Sequence, residues 1–367
     1  MDKVSQIALS MIPGLGPTSC RKLLDAYPDE DIFALPKGEL QAAFGSHRAV
    51  ADAIAAKSTH ARAEAELRYC EEKGIRVLFC TEADYPARLN RDETQDCPVV
   101  LYALGSADLN ADRSVGVVGT RRATPQGRDN TDRLVAGLVP YRSTIVSGLA
   151  YGIDTAAHTA SLAHGLPTVA VLGHGLDRIY PPQNRKLAAD IVAQGGALVT
   201  EYPSGTAINP GYFPARNRII AALSDAVTVV EASEHGGALI TAAIAIGYHR
   251  DVFAMPGRLT DTYSTGTNNL IATNKALMAR HADDIAYQLG WPLVQQGGKQ
   301  QELFPTPTLT AEEQQLVELL RKHGQLTLDE IVSLSGLTMP KVAALIFNME
   351  MQKAVRALPG HLYQPVG

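Results

Sequence analysis

The sequence predicts an α/β protein with an extended Rossmann-like parallel sheet, and three observations support this fold class. Short apolar runs alternate with helical stretches between residues 75 and 254, which is the pattern of a parallel sheet covered on both faces. Two of these runs, Val115–Val118 and Thr144–Ser147, end in a glycine turn that precedes a helix, as in anion-binding βα units. The length of 367 residues and the 46% hydrophobic content provide for two or three domains.

Residues 1–73 are predicted to form a helical domain in front of the sheet. Helices are expected over Val4–Leu24, interrupted by a Gly-Leu-Gly turn at 14–16, and over Ala49–Lys73. The turn fits a helix-hairpin-helix module of the SAM-like kind, in which backbone N–H groups hold a DNA phosphate. It equally fits an ordinary corner between two helices, because glycine serves any tight turn, and the acidic residues 29–31 that follow disfavour DNA. Both interpretations stay open at this point.

Residues 74–294 are predicted to form the extended Rossmann-like domain, with a sheet that starts before the first glycine turn. Strands are expected over 75–80, 99–104, 115–118, 144–147, 168–172, 197–200, 226–231 and 251–254. Helices among them are expected over 126–138, 154–163 and 238–248. Ligands of such sheets bind at the carboxyl ends of the strands, so we expect the functional residues in the loops there.

The C-terminal part is predicted to be a winged-helix domain over 309–367, joined by a linker over 295–308 that is rich in Gln, Gly and Pro. A short apolar hairpin follows three helices that are expected over 310–322, 327–335 and 338–352. The first two helices begin with Thr and carry Glu three residues later, which is a capping box. The third helix offers only Lys341 and Asn348 before Lys353, so we expect it to dock a partner or to contact DNA weakly rather than to read bases.

Composition and charge narrow the classes of function. The net charge of −5 and the pI of about 6.1 exclude a broad basic surface for duplex DNA, so any polyanion must meet local clusters of arginine. Four cysteines without C-x-x-C spacing indicate neither a metal site nor a disulfide framework. The absence of a signal segment and of long apolar runs leads us to expect a cytoplasmic protein without a membrane anchor.

The loop Gly119-Thr120-Arg121-Arg122 is the first candidate site, because two guanidinium groups follow a strand and a glycine. It lacks the three-glycine spacing of a dinucleotide fingerprint, and the chain has no G-x-x-x-x-G-K-S/T motif, so we expect no nucleotide cofactor. In the next unit, Asp154 and His158 are separated by one helical turn. They are either a general base with its orienting group or an N-terminal acid and a core histidine, and the second arrangement is the commoner one.

The string Phe213-Pro214-Ala215-Arg216-Asn217-Arg218 is the second candidate site, since two arginines at the start of an apolar helix suit phosphate oxygens. The alternative is that these arginines brace the sheet through Asp225 or Glu231. A glycine turn at 236–237 follows the next strand. Aromatic residues near these loops suit the stacking of unpaired bases, and they are Tyr151, Tyr180, Tyr202, Tyr212, Phe213 and Tyr263.

The ordered series of motifs resembles the DNA-processing protein A (DprA/Smf) family over the middle part of the chain. The matching segments are 118–121, 147–158, 172–181, 213–218, 231–232 and 255–257. The resemblance implies sequence-independent binding of single-stranded DNA, a homodimer, no catalysis, and the loading of a RecA-type recombinase in natural transformation. The DNA- or phosphate-binding residues that the motifs and the resemblance indicate are Gly119, Thr120, Arg121, Arg122, Ser147, Gly148, Gly152, Arg178, Arg216, Asn217, Arg218, Gly236 and Gly237.

Two departures from the family pattern affect these expectations. Gly236-Gly237-Ala238 stands where the family usually has Ser-Gly-Ser, which removes hydroxyl donors from that turn. The stretch 266–276 ends in Asn-Lys-Ala rather than the common Gly-Ala, in a part of the family's chain that contributes to self-association. The resemblance places the candidate dimer residues in and directly after this stretch, and they are Leu270, Ile271 and Leu277.

Two other functions stay open. A nucleotide phosphoribohydrolase of the lysine-decarboxylase-like class uses a similar sheet and glycine turn. Its turn carries a catalytic glutamate in the next helical step, however, and the segment 236–243 has none. The other alternative is a nucleotide-sensing module with the winged helix as its effector. Release of free adenine from AMP would favour the enzyme, and tight binding of a mononucleotide would favour the sensor.

Overall fold

The computed structural model describes residues 1–28, 30–45, 48–293, 310–351, 354–358 and 362–365. The chain forms two compact units, Met1–Val294 and Gln295–Gly367. The first unit holds the helical segment together with the large sheet. The predicted linker over 295–308 lies outside the described residues.

The helices that precede the sheet are α1 (Lys3–Ser10), α2 (Pro17–Ala26), α3 (Lys37–Phe44), α4 (Arg48–Ala55) and α5 (His60–Lys73). The predicted turn at 14–16 joins α1 to α2. The prediction of one continuous helix over 49–73 is wrong, because the chain breaks between α4 and α5, where Lys57 has a φ of 49°. Thr59 Oγ1 donates a hydrogen bond to the Ala8 carbonyl oxygen at 2.8 Å, so a contact with α1 favours the break.

The large sheet contains all the predicted strands: β1 (Arg76–Phe79), β2 (Val100–Gly105), β3 (Ser114–Val118), β4 (Thr144–Ser147), β5 (Thr168–Val171), β6 (Ala197–Thr200), β7 (Ala226–Val229) and β8 (Asp251–Ala254). It also includes β9 (Leu277–Met278), which the sequence did not indicate. The strand order is β1-β2-β6-β5-β4-β3-β7-β8-β9. In this spatial order, neighbouring strands are parallel from β6 through β5, β4, β3, β7 and β8 to β9. Strand β2 is antiparallel to both β1 and β6. The predicted parallel α/β sheet is thus confirmed, with antiparallel pairing added at one edge.

The helices that follow these strands are α6 (Pro125–Leu138), α7 (Ile153–Ala163), α8 (Arg185–Ala193), α9 (Tyr212–Leu223), α10 (Ala238–Gly247), α11 (Thr265–Ala272) and α12 (Ala282–Gln288). Every residue of β3, β4 and β7 is buried, as expected for strands covered on both faces. The strand order reverses at β3, which pairs with β4 on one side and with β7 on the other. The loops after β3 and β7 therefore diverge and leave a crevice at the carboxyl ends of the strands.

The second unit has the predicted winged-helix architecture. Its elements are α13 (Ala311–His323), β10 (Leu326–Thr327), α14 (Leu328–Ser335), α15 (Met339–Met351), β11 (Val355–Leu358) and β12 (Leu362–Pro365). Both predicted capping boxes are confirmed: the Thr310 and Thr327 hydroxyls accept the Glu313 and Glu330 N–H groups, and each glutamate accepts in return. On α15, Lys341 lies 2.5 Å from a Glu312 carboxylate oxygen, so its charge is already paired.

Among the described residues, no single helix is both long enough and apolar enough to span a membrane. The helical segments Leu328–Ser335 and Met339–Glu350 reach that length and apolarity only in combination, and they are bent by 114° relative to each other.

Candidate nucleic-acid interface

A cleft of about 460 Å³ opens at the point where the strand order reverses. It lies between the loops that follow β3 and β7 and the first turns of α9 and α10. The cleft lining includes eight of the predicted site residues, namely Gly119, Thr120, Arg121, Arg122, Arg216, Asn217, Gly236 and Gly237. The structure thus brings these eight residues to one cleft, although they differ in what they contribute to it.

Backbone hydrogen bonds fix the loop that carries the first two arginines. The Thr120 N–H donates to the Glu231 carbonyl oxygen at 2.7 Å, and the Thr120 carbonyl oxygen accepts the Ile153 N–H at 3.2 Å. Gly152 passes so close to this loop, at a φ of 80°, that a Cβ on it would overlap the Thr120 carbonyl oxygen. The loop after β3 and the start of α7 are thus packed backbone against backbone.

Arg121 and Arg122 are exposed at the mouth of the cleft, and neither pairs with a carboxylate among the described residues. The Arg121 guanidinium carbon lies 5.9 Å from the centroid of the Phe213 ring, within cation–π range. The ring of Tyr180 is 5.5 Å from that of Phe213 and tilted by 42°. The rim therefore combines available positive charge with aromatic faces.

Arg216 has a different position from Arg121, because it is buried beneath the cleft with a residue exposure of 3%. Its Nη1 donates to the carbonyl oxygens of Gly148, at 2.6 Å, and of Val171. Burial lowers the pKa of Arg216 to about 10, although the nearby carboxylate of Asp154 acts in the opposite direction. Arg216 therefore joins the ends of β4 and β5 to α9 and supports the floor of the cleft.

Arg218, which was predicted to bind phosphate, lies in an ion pair. Its Nη1 and Nη2 lie 2.6 and 2.7 Å from the two carboxylate oxygens of Glu201, and its Nε donates to the Asp96 carbonyl oxygen at 2.9 Å. The pair raises the pKa of Arg218 further above its usual range. Arg218 is thus a bracing residue, and its partner is Glu201 rather than the predicted Asp225 or Glu231.

Two further predicted residues, Ser147 and Arg178, do not line the cleft. The Ser147 hydroxyl is buried and donates to the Val117 carbonyl oxygen at 2.6 Å, so it ties β4 to β3 instead of facing a phosphate. Arg178 is partly exposed and lies 2.7 Å from the carboxylate of its neighbour Asp177. Neither side chain therefore lies in the cleft lining, where the sequence analysis expected it.

The remaining predicted residues contribute mainly backbone. The Gly236 N–H donates to the Ser233 carbonyl oxygen at 3.0 Å, while Gly237 has no heavy atom within 4 Å of the position a Cβ would take. Gly148 packs against the guanidinium of Arg216, with 2.5 Å between its virtual Cβ and Nη2. Asn217 lines the cleft and accepts a hydrogen bond from Arg216 Nε at 3.3 Å.

A sequence model described as DNA recombination-mediator protein A matches residues 76–290, which is more than half of the chain. The chain belongs to the DNA recombination-mediator protein A family. A second model, the DprA winged helix domain, matches residues 300–361. Residues 76–290 hold the whole cleft, so the site described above belongs to the part that defines the family.

Individual members of the DNA recombination-mediator protein A family show the same relationship. Protein Smf of Synechocystis sp. is 38% identical over 325 residues, which are 80% of this chain and 81% of that protein. The X-ray structure of DNA processing protein A from Streptococcus pneumoniae has a TM-score of 0.69 at 33% identity, over 78% of this chain and 98% of that one. A structure of the Helicobacter pylori protein, described for its single-stranded DNA binding mode, has a TM-score of 0.53 at 31% identity, over 59% and 97%.

Sequence reasoning gave Glu201 no role and considered Glu231 only as a bracing partner of the two arginines, yet both acids organise the site in this family member. Glu201 directly follows β6 and pairs with Arg218, and Glu231 follows β7 by two residues and bonds the loop after β3. Both lie at the carboxyl ends of strands, where the cleft was expected. An acidic residue at the end of a strand, in the same sheet as a loop that carries arginines, is the sequence signal that could have identified Glu201 and Glu231.

The candidate dimer residues of this family member differ in exposure. Leu270 is 9% exposed and belongs to the core of the first unit, and Ile271 packs partly against the same core. Leu277, on the edge strand β9, is 44% exposed. The prediction for Leu270 is therefore corrected to a core role, and Leu277 is the candidate whose side chain has access to a partner.

His158 is a core histidine rather than a general base oriented by Asp154. The Thr168 hydroxyl donates to the Ile145 carbonyl oxygen at 2.9 Å, so it accepts from His158 Nδ1 at 2.7 Å. His158 Nε2 is buried without a hydrogen-bond partner in the described part of the chain. Burial lowers the pKa of His158 from 6.5 to about 3, and the charge of Arg216 acts in the same direction.

From the lowered pKa of His158 we predict that the free energy of unfolding decreases as the pH falls. Between pH 6.5 and 3 the unfolded chain binds a proton at His158 that the folded chain does not, so stability falls by up to about 1.4 kcal/mol per pH unit as pH decreases. Asp154, whose pKa is raised by burial, acts in the opposite sense at the acid end of this range. Urea unfolding of the parent and of His158→Asn at several pH values checks this. The variant should show the flatter dependence, and parallel curves would contradict the assignment.

Proposed function

We propose that the chain binds single-stranded DNA without sequence preference along the rim of the cleft and loads it onto a RecA-type recombinase. We further propose that it acts as a homodimer and catalyses no reaction itself. The observation that carries the proposal is the exposed pair Arg121 and Arg122, neither of which has a carboxylate partner among the described residues, together with the ring of Phe213 next to Arg121. Guanidinium groups bind phosphate oxygens irrespective of sequence, and aromatic faces stack on unpaired bases.

The chemistry of the cleft favours binding over catalysis. Asp154 is the one carboxylate among the described residues that line it, and it is buried beside Arg216. The segment 236–243 has no glutamate, whereas a phosphoribohydrolase of the lysine-decarboxylase-like class carries a catalytic one in the helical step after its glycine turn. The family description as a recombination mediator, and the single-stranded DNA binding mode ascribed to the Helicobacter pylori relative, support the same proposal.

Replacing Arg121 with Ala should weaken binding to oligo-dT by about tenfold or more, because a charged hydrogen bond to phosphate is lost. The slope of log K against log[salt] should become shallower by about 0.7 for each phosphate contact removed. Fluorescence anisotropy with oligo-dT and with duplex of equal length measures both quantities.

Arg178→Ala provides the matched control for this substitution. It removes an arginine that is partly exposed, is paired with Asp177 and lies outside the cleft lining. Its affinity for oligo-dT should stay close to that of the parent. If the duplex binds as tightly as the single strand, or if the Arg121 variant binds like the parent, the proposal is wrong.

Loading of a recombinase is tested separately from binding. Addition of the chain should accelerate the onset of single-strand-dependent ATP hydrolysis by a RecA-type protein on oligo-dT, and Arg121→Ala should remove the acceleration. An effect that persists in the variant would show that loading does not pass through the cleft.

A further inference from the structure

Glu231 bridges both ends of the loop that carries Arg121 and Arg122. Its carbonyl oxygen accepts the Thr120 N–H at 2.7 Å at the start of the loop. Its carboxylate accepts the Thr124 N–H at 3.0 Å and the Thr124 hydroxyl at 2.5 Å at the end. One residue that follows β7 thus sets the span of the loop after β3.

The surrounding residues make room for this carboxylate. Glu231 is 8% exposed, and a Cβ on Gly127 in the first turn of α6 would overlap both of its carboxylate oxygens. The Thr124 hydroxyl, which the carboxylate accepts, also accepts the Gly127 N–H at 2.9 Å as the N-cap of α6. The side chain of Glu231 is therefore held between the loop and the start of α6.

The carboxylate of Glu231 also lies at the N-terminus of α6, where the helix dipole favours a negative charge. In dinucleotide-binding Rossmann folds, the N-terminus of the helix after the first strand binds the pyrophosphate. Here the chain's own carboxylate occupies that position, at the N-terminus of α6. The partial positive charge of this helix end is used internally, so the N-terminus of α6 is not available to a phosphate that binds at this loop.

From this geometry we propose that Glu231 is a positioning residue for single-stranded DNA binding. It holds the loop between Thr120 and Thr124 so that Arg121 and Arg122 face outward together. This inference rests on the proposed function, and it deepens that function by assigning a role to a residue that itself cannot attract DNA.

The sign of the effect makes the inference testable. Coulomb's law alone predicts that removing a carboxylate beside a polyanion site strengthens binding. A positioning role predicts the opposite, because the two arginines lose their common orientation. Glu231→Gln should therefore bind oligo-dT about fivefold more weakly, the factor for one typical hydrogen bond, and with a shallower salt slope.

Glu234→Gln is the matched control, since it removes the same charge three residues away from an exposed side chain. Its affinity should equal or slightly exceed that of the parent. Thr124→Val and Thr124→Ser form a second pair. The valine removes the hydroxyl group that donates to Glu231, so Thr124→Val should bind oligo-dT as weakly as Glu231→Gln. The serine keeps the hydroxyl group, so Thr124→Ser should bind with the affinity of the parent.

The outcomes separate this inference from the proposed function. If the parent fails to bind oligo-dT, the proposed function is wrong. If the parent binds and both Glu231→Gln and Thr124→Val bind as tightly or more tightly, only the role of Glu231 is wrong. Should Glu231→Gln fail to fold, as judged by circular dichroism, the comparison of Thr124→Val with Thr124→Ser decides.

Discussion

Replacing Arg216 with Gln should lower the free energy of unfolding by about 3–5 kcal/mol and abolish binding of single-stranded DNA. The size of the effect follows from the removal of a buried cation, which leaves the buried carboxylate of Asp154 without a nearby opposite charge. The carbonyl oxygens of Gly148 and Val171 also lose their donor. Binding is lost because the ends of β4 and β5 and the start of α9 are no longer joined beneath the cleft.

The pH dependence of this variant separates electrostatic coupling between Arg216 and Asp154 from simple loss of packing. Burial raises the pKa of Asp154, and the charge of Arg216 opposes that rise in the parent. Without Arg216 the folded-state pKa should rise further, so the variant should regain stability as pH falls below that value and lose it as pH rises through it. Urea unfolding of Arg216→Gln between pH 5 and pH 8 measures this dependence.

Two comparisons complete the test of Arg216. Arg122→Gln alters an exposed arginine of the same cleft and should change stability by less than about 0.5 kcal/mol. The double variant Asp154→Asn with Arg216→Gln removes both charges and should be more stable than Arg216→Gln alone. Equal stability of the single and double variants would contradict the electrostatic coupling between Arg216 and Asp154.

Most of the first unit followed from local patterns in the sequence. The predicted strand over 144–147 agrees with β4 at both ends, because its apolar run ends at a glycine turn. The same applies to 197–200 and 251–254, where turns or polar residues bound the run. The break before α5 was not predictable locally, because the bond that favours it joins Thr59 to Ala8, which is far away in sequence.

The roles of the two arginines in the second candidate site were harder to predict from the sequence. Arg216 and Arg218 are two positions apart on α9, so their side chains leave the helix in directions that differ by roughly 200°. They cannot face the same ligand, and this geometry was available from the sequence. The identity of Glu201 as the partner of Arg218 required the sheet order, which places β6 on the same side of β3 as β4 and β5.

Replacing Gly152 with Ala should weaken oligo-dT binding by more than about tenfold while costing about 1–3 kcal/mol of stability from the backbone alone. Gly152 has φ 80° and ψ −123°, a conformation that residues with a Cβ rarely adopt. The new methyl group would also overlap the Thr120 carbonyl oxygen and lie against the Arg121 backbone. Since backbone atoms cannot rotate away as a side chain can, the loop that carries Arg121 must move.

Gly237→Ala is the comparison that shows whether any added methyl group at the cleft has this effect. Gly237 lines the same cleft, has helical φ and ψ of −59° and −24°, and leaves open space around the virtual Cβ. Alanine fits that conformation and keeps the N–H group, so affinity should stay within about twofold of the parent and stability within about 0.5 kcal/mol. Equal losses in the two variants would mean that crowding of the cleft, and not displacement of the Arg121 loop, controls binding. Loss in Gly152→Ala alone would tie affinity to the place at which α7 packs against the loop after β3.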